Sequence, residues 1–188
     1  MATDSVTYTL TPDELAARMR RRLAMEPVDD SLSREDSPGA VRRMALDLRA
    51  AYLQGLFTLP AVELPLTDLS TRAVLIASGG GHPAELVLPP QCVRVVSVKL
   101  NGWARSAIIV SPDSAEALAQ DNPFSRASTA RPVAVADSSR RMRLYTPPVN
   151  TEPTFTYLLC VALPDDNLYL LTPPLEDFIF KTLAASVR

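Results

Sequence analysis

Histidine and cysteine are scarce in this chain, with one histidine and two cysteines in 188 residues. Any Ser-His-acid or Cys-His mechanism would have to run through His82, and no Gly-x-Ser-x-Gly elbow is present. Two cysteines and one histidine cannot fill an ordinary structural zinc site, so no metal or cofactor is expected. Charge of one sign is missing too: 19 basic against 21 acidic residues leave a net −2. A dedicated nucleic-acid binder would carry a strongly basic balance instead. No uncharged apolar run approaches membrane-spanning length. Met1 to Leu10 shows no basic region followed by an apolar core, so a soluble intracellular product without membrane contact is expected. Glycine is rare at 6 residues, whereas proline reaches 17. That ratio predicts many short elements joined by stiff extended connections.

What is present begins with a helix signal. Thr11 reads as an N-cap, Pro12 as the first helical residue, and Asp13 and Glu14 as first-turn carboxylates. Leu15, Met19 and Leu23 give it an apolar stripe, and Arg18, Arg20, Arg21 and Arg22 crowd its end. Pro27 to Asp36 reads as a polar loop. A longer helix starts at Ser37-Pro38, with Val41, Met44, Ala45, Leu48, Ala51, Tyr52 and Leu56 recurring at helical spacing and Gly55 marking its end. Leu59 to Leu69, broken by Pro60 and Pro65, reads as an extended edge segment.

The β-rich section centres on Leu86 to Val110, where two β-rich runs flank Asn101-Gly102. This dipeptide predicts a type I′ hairpin, with the first strand covered at its base and open to solvent at its tip. A short strand over Arg72 to Ala77 precedes it, followed by a flexible Ser78-to-Pro83 turn. Ser111 to Ser114 opens a short helix that Asn122-Pro123 stops. Strands are expected over Pro132–Ala136, Met142–Tyr145, Thr156–Leu163 and Leu168–Leu171. A last helix follows Thr172-Pro173-Pro174, resembling a capping box, with Leu175, Phe178, Ile179 and Leu183 on its apolar face. The expected fold class is α+β: N-terminal helices and a C-terminal helix packed with an antiparallel β-rich section containing the Asn-Gly hairpin. The expected division is 1–58 helical, 59–171 β-rich, and 172–188 a helix returning to the helical part of one compact domain.

Candidate chemistry is thin. The glycines before His82 lack the lysine and helix of a phosphate loop and read as a hairpin tip. Asp29-Asp30, Asp165-Asp166 and Glu176-Asp177 sit at turns or helix starts, where carboxylates cap. Cys92 and Cys160 lie in apolar strand-like runs and read as buried free thiols. The more pointed candidates are for interaction. Trp103, past Asn101 and Gly102 and before Arg105, either packs back on its own sheet or enters a partner. Arg18 with Arg20, Arg21 and Arg22, and Arg140, Arg141 and Arg143, are two basic clusters that could meet phosphates or an acidic partner face; without interleaved aromatics or net positive charge, a solvated surface or a subunit contact is the expected use. Phe178 stands at the acidic–aromatic start of the last helix.

The run Leu88-Pro89-Pro90-Gln91-Cys92-Val93-Arg94-Val95-Val96-Ser97-Val98, the Gly102-Trp103 turn and the closing helix after Pro173-Pro174-Leu175-Glu176-Asp177 resemble one family. It is the head–tail connector (adaptor, or tail-tube-A-like) ring proteins of tailed bacteriophages. The likeness spans the chain from about Pro38 onward; the brief final helix and short N-terminal helices depart from it. It implies a non-enzymatic virion protein of the neck, assembled in the bacterial cytoplasm as a homo-oligomeric ring, often twelve-fold. The helical part would meet the portal and the β part the tail proteins, with DNA passing through without specific binding. Two other readings stand beside it: a monomeric protein-binding or scaffold module, and a small hydrolase using His82.

Overall fold

The computed structural model describes residues 6–25, 38–77, 83–122, 124–137, 140–147, 153–164 and 168–186. In chain order the elements are β1 (Tyr8–Leu10), α1 (Pro12–Met25), α2 (Pro38–Thr58), β2 (Thr67–Asp68), β3 (Val74–Ile76), β4 (Ala84–Val87), β5 (Cys92–Leu100) and β6 (Ile108–Val110). They continue with α3 (Ala115–Leu118), β7 (Val133–Ala136), β8 (Arg141–Leu144), β9 (Phe155–Ala162), β10 (Tyr169–Leu171) and α4 (Pro173–Ser186). The class is α+β, with antiparallel and mixed sheets. The chain divides into two compact units, Met1–Pro65 with Leu163–Arg188, and Leu66–Ala162.

In the helical unit, α1 starts on a complete capping box. The Thr11 hydroxyl accepts from the Glu14 N–H, and the Thr11 N–H donates to the Glu14 carboxylate at 2.8 Å. That exchange satisfies two groups a helix start leaves orphaned. Leu15 and Met19, one turn apart, are buried, and α1 packs on both α2 and α4. On α2 the expected stripe buries Leu48, Ala51, Tyr52 and Leu56, whereas Ala45 is exposed. Gly55 does not mark a fraying end, because the helix runs on to Thr58. It lies close against α4: a Cβ there would stand 2.5 Å from Leu175 Cδ1 and 3.1 Å from Phe178 Cδ1.

A three-residue strand that periodicity does not reveal, β1, pairs antiparallel with β10, Tyr8 opposite Leu171. Tyr52 meets the edge of Tyr169 at 4.9 Å and donates to the Leu170 carbonyl. Burial pushes the Tyr52 hydroxyl up to about 12. The Leu59–Leu69 segment is not wholly extended, since Ala61–Glu63 closes a 3-10 turn before β2 begins.

The β unit holds two sheets that bury one core. One has the order β2-β9-β5 and the other β3-β4-β8-β7-β6. Leu86, Met142, Leu144 and Ala134 of the second sheet share that core with Val98, Leu100, Leu158 and Cys160 of the first. The alternation is clean on β8, where Arg141 and Arg143 are exposed and Met142 and Leu144 buried. Outside this core Ala117 of α3 packs with Val133 and Val135. Ser114 caps α3 as expected, its hydroxyl accepting from Ala117 N–H.

The Asn-Gly hairpin does not form. Trp103 N–H does bond the Leu100 carbonyl across a turn, and Gly102 has φ 85°, but Asn101 is not left-handed. Positive φ at the second central residue alone is the type II pattern, whose twist splays the flanking strands. Accordingly β5 pairs antiparallel with β9, from Cys92 opposite Ala162 to Leu100 opposite Phe155, while β6 runs parallel to β7. The tip of β5 is not open either, because Val98 and Leu100 are buried.

Candidate functional site

Trp103 turns back into its own unit. It is 3% exposed, lies in the shared core, and its indole N–H donates to the Thr146 carbonyl at 2.8 Å. Of the two readings of this residue, packing on its own sheet is the one the structure gives. Asn101 is exposed but engaged: its amide donates to Thr154 Oγ1 at 2.7 Å, and Thr156 Oγ1 donates to its side-chain oxygen. It ties the end of β5 to β9. Gly102 and Arg105 are exposed beside it.

The α1 arginines divide by face. Arg18 and Arg22, one turn apart, reach α4, where Arg18 Nε stands 2.6 Å from Glu176 and Arg22 pairs with Asp177. Arg22 also lies over the Phe180 ring at 4.1 Å, and Arg18 over Tyr8 at 5.5 Å. Arg20 and Arg21 remain exposed on the other side. The Glu176-Asp177 pair is thus taken by ion pairing, and Thr172 does not complete a capping box with Glu176. The Thr172 hydroxyl donates instead to the Glu63 carbonyl, and Glu176 accepts from Arg18 and from the Tyr8 hydroxyl. Burial, together with that bond to a carboxylate, pushes Tyr8 up to about 12. Arg22 holds Asp177 below the usual carboxylate range. These contacts tie β1 and α1 to α4 within one unit, a role the sequence alone does not signal.

On the outer face of the five-stranded sheet, Arg141 donates to Glu85 at 2.7 Å, and Arg143 is exposed two residues along the same strand. Arg140 precedes them with φ 60°, its carbonyl accepting from the Leu88 N–H. The two basic clusters lie in different units. His82, the glycines before it, Asp29-Asp30, Asp165-Asp166 and the Pro27-to-Asp36 loop lie outside the described residues. Among the described residues no three metal-capable side chains gather, and no helix is long and apolar enough to cross a membrane.

Phe178 is half-buried and lines an open groove of about 560 Å³ in the helical unit. Its apolar walls are Leu59, Pro173, Pro174 and Phe178; Glu63, Asp177 and Lys181 supply charge. Two exposed apolar surfaces went unread in the sequence. On α2, Leu46, Ala50, Leu53 and Phe57 recur at offsets of four, three and four and so share one face. Leu46 and Phe57 are 63% and 62% exposed on it. In the β unit, Val74 and Ile76 project from β3, which among the described residues has a strand neighbour on one side only. The signal for the α2 face was available, because that helix is apolar on two sides rather than one.

No protein-family model matches the chain, and no curated protein matches it.

Proposed function

We propose that this chain is a non-enzymatic structural subunit that assembles as a connector or adaptor ring between the portal and tail of a tailed phage or prophage. The observation that carries the reading is exposed apolar surface on both units: the α2 face bearing Leu46 and Ala50, and the outer strand β3 bearing Val74 and Ile76. Exposed apolar patches mark association surfaces, and a ring protomer needs at least two different ones, because its contacts are heterologous and close by rotation. An open strand edge is suited to such use, since a neighbour can complete its ladder. The resemblance of Leu88–Val98 and of the closing helix to the connector family supports the same reading. The portal and tail proteins are then its partners, and the virion neck its place.

The test is the mass of the purified chain by light scattering after size exclusion, with negative-stain images of any large species, alone and mixed with candidate portal rings. Closed rings, or a ring formed on the portal, are expected. A chain that stays monomeric and ignores every portal ring would leave the monomeric binding module in its place.

A further inference from the structure

We infer that Phe124 is one half of a head-to-tail contact, entering the groove beside α4 on a second copy of this chain. The Phe124 side chain is 99% exposed. A phenyl ring held wholly in water is a large apolar surface left unburied, and aromatics in that position anchor interfaces when a pocket receives them.

The main chain at Phe124 and the two residues after it is hydrogen-bonded back to Asn122. Phe124 N–H donates to Asn122 Oδ1 at 3.0 Å, and Ser125 and Arg126 N–H both donate to the Asn122 carbonyl. The Ser125 hydroxyl donates to the Ala119 carbonyl at 3.1 Å. Main chain already held by hydrogen bonds has less freedom to lose on docking, so the ordering cost falls mainly on the phenyl rotamer.

The groove supplies what the ring lacks. Its Leu59, Pro173, Pro174 and Phe178 walls are apolar, and the open groove of about 560 Å³ has room for a phenyl ring. The charges around the two features are complementary. Exposed Arg126 lies two residues after Phe124, and exposed Asp121 three before it; the groove presents the carboxylate of Glu63 to the one and the ammonium of Lys181 to the other, Asp177 being held by Arg22.

The knob belongs to one unit and the groove to the other, so the two are different patches of the same chain. A contact between different patches propagates from copy to copy and either closes or grows. This deepens the ring reading and rests on it only for closure.

Sedimentation velocity from micromolar to millimolar concentration tests it with the full chain, Phe124→Asp and Pro174→Trp. Both positions are exposed, and melting temperatures equal to wild type will confirm intact folds. Wild type should self-associate, and each variant should do so roughly thirtyfold more weakly, the size expected for loss of a central anchor. Mixing the variants restores one knob and one groove, so the mixture should form dimers and nothing larger. Phe124→Asp sedimenting like wild type at every concentration, monomeric wild type included, overturns the contact, as does a mixture without dimers. Wild-type mass that rises without limit keeps the contact and sinks the closed ring. A ring of fixed mass that survives Phe124→Asp keeps the ring and sinks the contact.

Discussion

The Trp103 indole nitrogen stands 2.8 Å from the carbonyl of Thr146, a residue held in left-handed backbone at φ 58°. That bond satisfies the one polar atom of a side chain otherwise in the core, and it anchors the segment after β8 to the turn after β5. Trp103→Ala should therefore act on the fold, costing about 3–5 kcal/mol. Trp103→Phe keeps most of the packing and loses the hydrogen bond, so about 1 kcal/mol of its loss is polar in origin. Urea unfolding of the variants measures both. A Trp103→Ala protein as stable as wild type would contradict this placement.

Gly55 tests how α2 and α4 fit. Alanine there gains about 1 kcal/mol in helix propensity, yet its Cβ would press on fully buried Leu175. Overpacking costs about 1–3 kcal/mol, so Gly55→Ala should be destabilising on balance. In a Leu175→Ala background the severe clash is gone and only the 3.1 Å approach of the Phe178 ring remains, so the same substitution should cost less than in wild type. If Gly55→Ala stabilises wild type, the two helices are not as close there as described.

These positions also mark how far the sequence could be read. The α1 start was legible because Thr11 and Glu14 settle their hydrogen bonds within one turn. Strands β7 to β10 were legible from apolar runs bounded by proline and turn residues. Asn101-Gly102 misled because the dipeptide specifies a turn, whereas the partner of β5 is set by burial of Val98 and Leu100 against β9. Gly55 misled for a similar reason, since a packing glycine and a terminating glycine look alike until the neighbouring helix is known. The Arg18–Glu176 and Arg22–Asp177 pairs span more than 150 residues, and no local pattern encodes them. Phe124 was invisible as a candidate because exposure is a property of the fold.

Asp68 gives the β unit a pH dependence. Its Oδ1 accepts from the N–H of Ser70 at 2.9 Å and of Leu158 at 3.0 Å, stitching β2 to β9. Burial works to raise its pKa, but these donors outweigh burial and hold it below the usual carboxylate range. A depressed folded value stabilises the protein fully above the unfolded value, about 3.9. The contribution is lost as pH falls through the folded value, when the proton weakens both bonds. Thermal melts from neutral pH down to pH 3 should show a decline beginning below about pH 5, shallower in Asp68→Asn. Parallel curves would remove Asp68 from the account.

Cys92 and Cys160 should differ in reactivity although both are buried free thiols on paired strands. Hydrogen bonding to Cys160 pulls the Cys92 pKa down; burial opposes this and the positive charge of Arg140 assists it. Cys160 is pushed up by the same bond, burial and the neighbouring sulfur add to the rise, and it is also the more deeply buried of the two. The thiolate is the nucleophile, so native protein treated with iodoacetamide near neutral pH should take a single label at Cys92. Cys160 should react only after unfolding. Arg140→Ala should slow the Cys92 reaction by removing the cation, and peptide mapping by mass spectrometry reads both sites. Labelling that reached Cys160 first would overturn this order of reactivity.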